Sequence, residues 1–208
     1  MLEMVPHWLG KALQGVRAGA DGLVIAKVGL PDDLPALQLG SPAFGDGARI
    51  PIRFTADGEG VSPPLIWNRI PEGAAGLALI VEDADAPGFR PLVHTIVWNL
   101  APEPGGLAEG AIRADGAGGA DGTDVGMASL FTEGWLPPDP PAGHGPHRYV
   151  FQLFALSDML DPGPTPRRSA LIEAMTGGII AAGVLTGTYS RGEEADIGPT
   201  GVVAAPGR

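Results

Sequence analysis

Hydrophobic positions in this chain fall in short runs, and the two densest frame a single acidic turn. Residues 77–81, Leu-Ala-Leu-Ile-Val, are too few for an independent helix and rich in branched side chains, which predicts a buried strand. Residues 93–100 form a second such run. In extended geometry His94, Ile96, Trp98 and Leu100 share one face of it, because successive side chains alternate. Between the runs stand Glu82, Asp83 and Asp85, then Ala86-Pro87-Gly88. Two strands thus frame a carboxylate-bearing turn, with a histidine opening the returning strand.

The clearest strand is 148–156, aromatic and β-branched, with His147, Tyr149, Phe151 and Leu153 facing one way. Shorter runs at 37–41, 50–55 and 184–189 also read as strands. Another follows Pro63-Pro64 from a sheet edge, since prolines donate no ladder hydrogen bonds. Residues 23–28 are apolar but without clear alternation, and a strand there stays ambiguous. Strands at this spacing, punctuated by Gly and Pro, predict an antiparallel β-sandwich or barrel rather than βαβ units.

Two segments carry a helical period. Val5, Trp8, Leu9, Ala12, Leu13 and Val16 make one stripe. A second helix is expected over 166–182, with Thr165 as N-cap, Pro166 in first position and a stripe of Leu171, Met175, Ile179 and Ala182. Gly177-Gly178 weakens it. The least regular stretch is 101–146, which contains the run ADGAGGADG at 114–122, read as a flexible insertion. Asp115, Asp121 and Asp124 lack the spacing of a twelve-residue calcium loop. These patterns divide the chain into an N-terminal helix and linker over 1–35, one domain over 36–191 and a tail over 192–208.

Composition narrows the function. A net charge of −11 argues against nucleic acid and against stable adsorption to an anionic membrane, both of which need clustered Lys and Arg. With no cysteine, disulfides and thiolate chemistry are excluded. No run approaches the roughly 20 apolar residues of a spanning helix, and no basic start precedes an apolar core. A cytoplasmic location is the expectation. The apolar N-terminal stripe makes a homodimer plausible.

His7 sits in the terminal helix and His144 in a Gly-Pro stretch, so neither stands out. His94 and His147 differ, each lying at the mouth of an expected strand beside an Asp-x-Asp turn. A single strand histidine is most often a core residue; two with carboxylates suggest a site. Such a group can hold a divalent metal, run acid–base chemistry, or line an anion pocket with glycine-loop N–H groups. In the last case an acid in the pocket must be protonated or turned toward a cationic part of the ligand. There is no Gly-x-Ser-x-Gly elbow, GxGxxG or GxxxxGK[ST] loop.

Several ordered motifs carry a family resemblance over about 37–191. Ser62-Pro63-Pro64-Leu65-Ile66-Trp67, then Asp83-Ala84-Asp85-Ala86-Pro87 and His94, resemble the first signature of the phosphatidylethanolamine-binding proteins. Gly134-Trp135 through Pro138, Pro140-Pro141, Gly143 and Pro146-His147-Arg148-Tyr149 resemble the second. Phe44-x-Asp46-Gly47, Ile50-Pro51, Phe54-Thr55-x-Asp57-Gly58 and Gly187-Thr188-Tyr189-Ser190-Arg191 are similar to the bacterial, Raf-kinase-inhibitor-like branch.

The resemblance implies a mainly β protein, an antiparallel β-sandwich with a few peripheral helices, and a small pocket for phosphate-like anions or phosphorylated lipid head groups. Asp83, Asp85, His94, His147 and Tyr149 are the implied pocket residues, with Pro87 and Pro138 shaping its loops and Ala86–Pro87 the candidate for a cis bond. It implies no cofactor and no metal. A protein partner under its regulation is a further expectation. Binding is the first reading. The alternative is a small-substrate enzyme using His94 and His147 with Asp83 or Asp85. Three positions depart from the pattern. Ala84 replaces a proline, Pro137 replaces a glycine and so removes a backbone donor, and Gly178 stands where a histidine is common.

Overall fold

The computed structural model describes residues 17–31, 33–114 and 124–191. The helix expected over 5–16, His7, residues 115–122 of the expected insertion and the tail from 192 lie outside these residues. The chain builds two antiparallel sheets. The smaller has β1 (Gln38–Gly40), β2 (Leu65–Asn68) and β5 (Gly105–Leu107) in the order β1-β2-β5. The larger has β3 (Gly76–Asp83), β4 (Leu92–Leu100), β6 (Asp124–Val125), β7 (His147–Leu156) and β8 (Ile179–Tyr189) in the order β6-β4-β3-β7-β8. The described chain is therefore mainly β, as expected.

β3 lies at the centre because both of its faces are apolar, and all eight of its residues are buried. Leu77, Leu79 and Val81 join Tyr149, Phe151, Leu153, Leu65 and Trp67 in the core shared with the small sheet. Ala78 and Ile80 point the other way, with Phe154, Leu156, Leu171 and Met175, toward α1 (Val24–Lys27) and α2 (Arg168–Met175). On that face Glu82 is fully buried, and its carboxylate accepts from Arg168 Nε (2.6 Å), Gln152 Nε2 (2.8 Å) and Val24 N (2.8 Å).

The same network decides a segment whose pattern is ambiguous in the sequence. Residues 23–28 hold a single helical turn, not a strand. Glu82 and Gln152 Oε1 accept the backbone N–H groups of Val24 and Ile25, which a helix start leaves unpaired. Residues 50–55 also fail to form a strand. Pro51 cannot extend a ladder, and Pro51 O accepts Phe54 N (3.0 Å) to close a 3-10 turn over Ile52–Phe54. The helix expected over 166–182 ends at Met175, because Gly177 takes a left-handed φ of 82° and the β-branched pair Ile179-Ile180 then opens β8. Its N-cap is Arg167 rather than Thr165, with no side-chain capping bond.

β4 does not alternate strictly. Its register against β3 slips between the Val81–Thr95 and Glu82–Val93 pairs and again between Leu77–Leu100 and Leu79–Val97. The second slip centres on Asn99, whose φ is 56° and whose amide trades two hydrogen bonds with the Leu160 backbone. His94 and Leu100 consequently leave the face of Ile96 and Trp98. Ile96 and Trp98 pack toward the helices, Leu100 packs into the inter-sheet core, and His94 stacks edge-on against Tyr149 at 5.0 Å. A bulge re-aims the histidine.

Candidate functional site

A cavity of about 410 Å3 opens where β3 ends and β4 and β7 begin. Asp83, Leu92, His94 and His147 line it from the sheet, Ala86, Pro87 and Arg90 from the acidic turn, and Leu130 and Thr132 from a 3-10 turn. Its remaining wall is largely prolines, Pro137, Pro140 and Pro141, together with Asp139. Of the expected residues, Asp83, Pro87, His94 and His147 line it. Pro138, Asp85 and Tyr149 do not, although Tyr149 stacks behind both His94 and His147.

Each carboxylate of the turn has its own task. Asp83 Oδ1 accepts Asp85 N (2.8 Å), folding the chain back on itself, and Oδ2 accepts from His147 Nδ1 (2.6 Å). This reversal needs no cis bond. Every peptide bond among the described residues is trans, Ala86–Pro87 included. Asp85 points away from the cavity and accepts from Arg148 N, Arg148 Nε (2.7 Å), Arg148 Nη2 (3.0 Å) and Arg17 Nη1 (2.9 Å). Burial alone would raise its pKa, but the arginine bonds outweigh that and hold it at about 2. Asp85 anchors the turn.

The two histidines are polarised differently. His94 Nδ1 lies 2.6 Å from Leu136 O, and a carbonyl can only accept, so Nδ1 carries the proton. Burial pushes the imidazole below its ordinary pKa despite the pull of Asp83, so the ring is neutral near pH 7 and Nε2 is a bare acceptor. That Nε2 is shut from solvent and has no hydrogen-bond partner. Tyr149 Oη is buried and unpartnered too, and burial holds the phenol well above 10, so it keeps its proton.

His147 has neither nitrogen to spare. With Nδ1–H given to Asp83, its Nε2 accepts from Nδ1 of His144 at 2.6 Å. Sequence reasoning passed over His144, yet it is fully buried. Its signal was the pair of flanking glycines. Gly143 and Gly145 both take positive φ (79° and 95°), and His144 N bonds back to Pro141 O, folding the ring onto the one three residues later.

The chain's sequence matches the family model of the phosphatidylethanolamine-binding proteins over residues 40–190. It belongs to that family. The UPF0098 protein of Methanothermobacter thermautotrophicus is 40% identical over 156 residues, covering 75% of this chain and all of that one. LppC of Mycobacterium tuberculosis, which bears a lipoprotein name, is 42% identical over 136 residues, 64% of this chain and 63% of its own. Among solved structures, CT736 of Chlamydia trachomatis, described as a homologue of these proteins, superposes with a TM-score of 0.67 at 38% identity, covering 75% of this chain and 98% of its own. Escherichia coli YbcL gives 0.68 at 26%, covering 74% and 98%.

Within this family frame, the motif residues outside the cavity prove to be its tethers. Asp57 accepts from Tyr189 Oη (2.7 Å) and from Arg191 Nε and Nη2, and Arg191 also pairs with Asp139 of the proline wall. Those arginine bonds, the largest influence, hold Asp57 below its ordinary pKa. Prolines leave the cavity wall poor in backbone donors, and of these Pro137 is the chain's departure from the family pattern. Pro137, Pro140 and Pro141 have no N–H, Leu136 N is spent on His94 O and Ala56 N on Pro138 O. Side-chain donors come from Arg90 and Thr132, against acceptors on Asp83, Asp139 and His94. Among the described residues, no group of three or more His, Asp or Glu is placed to hold a metal, and no helix is long and apolar enough to cross a membrane.

Proposed function

We propose that this protein binds small ligands, and that its cavity takes a phosphorylated head group which brings a hydrogen-bond donor with it. Phosphoethanolamine, with its ammonium, and monoprotonated phosphate both meet that description. The observation that carries the reading is the bare, unpartnered Nε2 of His94, a residue that lines the cavity. A buried acceptor without a partner costs free energy on the order of 1–3 kcal/mol, and a ligand that supplies the proton recovers it. A fully ionised phosphate supplies none and meets Asp83 and Asp139 as well. Arg90 offers a charge at the same cavity for the anionic end.

Binding fits this geometry better than catalysis. Both nitrogens of His147 are engaged by Asp83 and His144, and burial makes His94 a weak base. The test is calorimetric titration of phosphoethanolamine and inorganic phosphate into the protein and its His94→Ala variant. The reading predicts binding by the wild type and a loss of about tenfold or more in the variant. Equal affinity in the two proteins would remove His94, and the reading with it.

A further inference from the structure

The first described residues, Arg17 to Gly19, run beside the acidic turn that walls the cavity. Gly19 N donates to Ala84 O (2.9 Å) and Ala18 N to Ala86 O (3.1 Å). As this segment is followed backward its partner advances along the turn, which is the antiparallel sense. That course aims residue 16 and those before it at Pro87, Gly88 and Phe89. Arg17 pins the crossing point, pairing with Asp85 (2.9 Å) and donating to Pro146 O (3.0 Å) and His144 O (3.2 Å).

The rim ahead of that course is apolar. Phe89 is completely exposed (102%) beside Arg90, which lines the cavity together with Pro87. Phe131 is 77% exposed on a different loop, between Leu130 and Thr132, both of which line it as well. Leu130 and Phe131 hold φ at 58° and 59°, a left-handed conformation that bulky L-residues avoid. A fold retains such strain where the displayed side chains have a use. Two aromatic tips on either loop of one mouth make a platform for an apolar stripe.

We propose that residues 1–16 of the same chain lie across this mouth as an amphipathic helix, seated on Phe89 and Phe131, and close the cavity until a ligand displaces them. The docking stands on the rim and on the direction of the chain; its effect on ligand entry rests on the head-group reading above. In helical geometry Trp8, Leu9, Leu13 and Val16 fall on one stripe, while Lys11 and Gln14 fall on the opposite face. Residues 5–16 would span about 17 Å as a helix, long enough to cross the mouth of a cavity of about 410 Å3. The choice of occupant follows from the tether. A stripe joined directly to Arg17 is held near the rim at high effective concentration, which a second copy or a separate partner must outcompete.

The experiment is acrylamide quenching of tryptophan fluorescence in the full chain. Trp67, Trp98 and Trp135 are buried, so Trp8 is the tryptophan whose access the docking governs. Wild type is compared with a rim variant, Phe89→Ser/Phe131→Ser, and with a stripe variant, Leu9→Ser/Leu13→Ser, which leaves the cavity untouched. The proposal predicts that Trp8 is shielded in wild type and that either variant quenches severalfold more steeply. Adding Trp8→Phe to each variant should remove that gain. Phosphoethanolamine titrated into wild type and the stripe variant should bind the variant about tenfold more tightly, because no closed state has to be opened. Trp8 fully open to acrylamide in wild type overturns the proposal, as does shielding that survives in the rim variant. Shielding that grows with protein concentration overturns it too, since a second copy would then be the cover. Equal phosphoethanolamine affinity in wild type and the stripe variant overturns the closure. If phosphoethanolamine binds neither protein while rim-dependent shielding persists, the docking stands and the head-group reading alone falls.

Discussion

Replacing Asp85 with asparagine tests whether a buried charge holds the acidic turn. In the wild type, burial raises the carboxyl's pKa, and hydrogen bonds from Arg148 and Arg17 overcome this and bring it from 3.8 to about 2. That displacement is worth about 2 kcal/mol of folding free energy, because each pKa unit is about 1.4 kcal/mol. Asparagine keeps one acceptor oxygen but turns an NH2 toward two guanidiniums, which leaves at least one buried donor unpaired and adds roughly 1 kcal/mol. The expected loss is about 2–4 kcal/mol near neutral pH. Because the folded pKa lies below the unfolded one, the charge's contribution is complete above about pH 4 and fades as pH falls toward about 2. Urea denaturation of both proteins across that range reads the effect. The gap should be full at neutral pH and should narrow as acid protonates the wild-type carboxyl. A gap that is constant with pH, or one below about 0.5 kcal/mol at neutral pH, refutes the reasoning.

Other substitutions probe the cavity. Tyr149→Phe removes a buried hydroxyl with no partner, so it should stabilise the fold by about 1 kcal/mol in chemical denaturation. Loss of stability would mean that the hydroxyl is satisfied in the free protein. Pro137→Gly restores a backbone N–H to the donor-poor wall and should raise the affinity for inorganic phosphate severalfold in calorimetry. It should also cost about 0.4–1 kcal/mol through the freer unfolded chain. An unchanged affinity would show that position 137 does not face the ligand.

Much of this arrangement is legible in the sequence where a single period governs. Residues 77–81 and 148–156 read as strands because apolar side chains occupy both faces, and they form the two central strands β3 and β7. Asp83, His94 and His147 were drawn to one place by their positions at strand ends, and the cavity gathers them. What stayed hidden depends on partners distant in the chain. The one-turn helix at Val24–Lys27 forms around Glu82 and Gln152, far along the sequence. The bulges in β4 have no composition signal beyond Asn99, so a strict two-residue alternation put His94 on the wrong face. His144 looked like part of a flexible loop because its two glycines read as freedom, whereas here they supply the positive φ values that fold it onto His147. Gly177 ended the second helix early for the same reason.

The most direct measurement follows the imidazole NMR signals of His94 and His147 as phosphoethanolamine is added, at about pH 6 and about pH 8, on either side of an unperturbed imidazole. The account predicts that the His94 signals move on titration, with Nε2 changing from a bare to a hydrogen-bonded nitrogen. His147, held between Asp83 and His144, should move less. Inorganic phosphate should reproduce the effect more strongly at the lower pH, where it carries the second proton. If His94 Nε2 stays bare at saturating ligand, or if inorganic phosphate binds better at about pH 8, where most of it carries one proton, than at about pH 6, where most of it carries two, the cavity does not recognise a proton-bearing head group and the central claim fails.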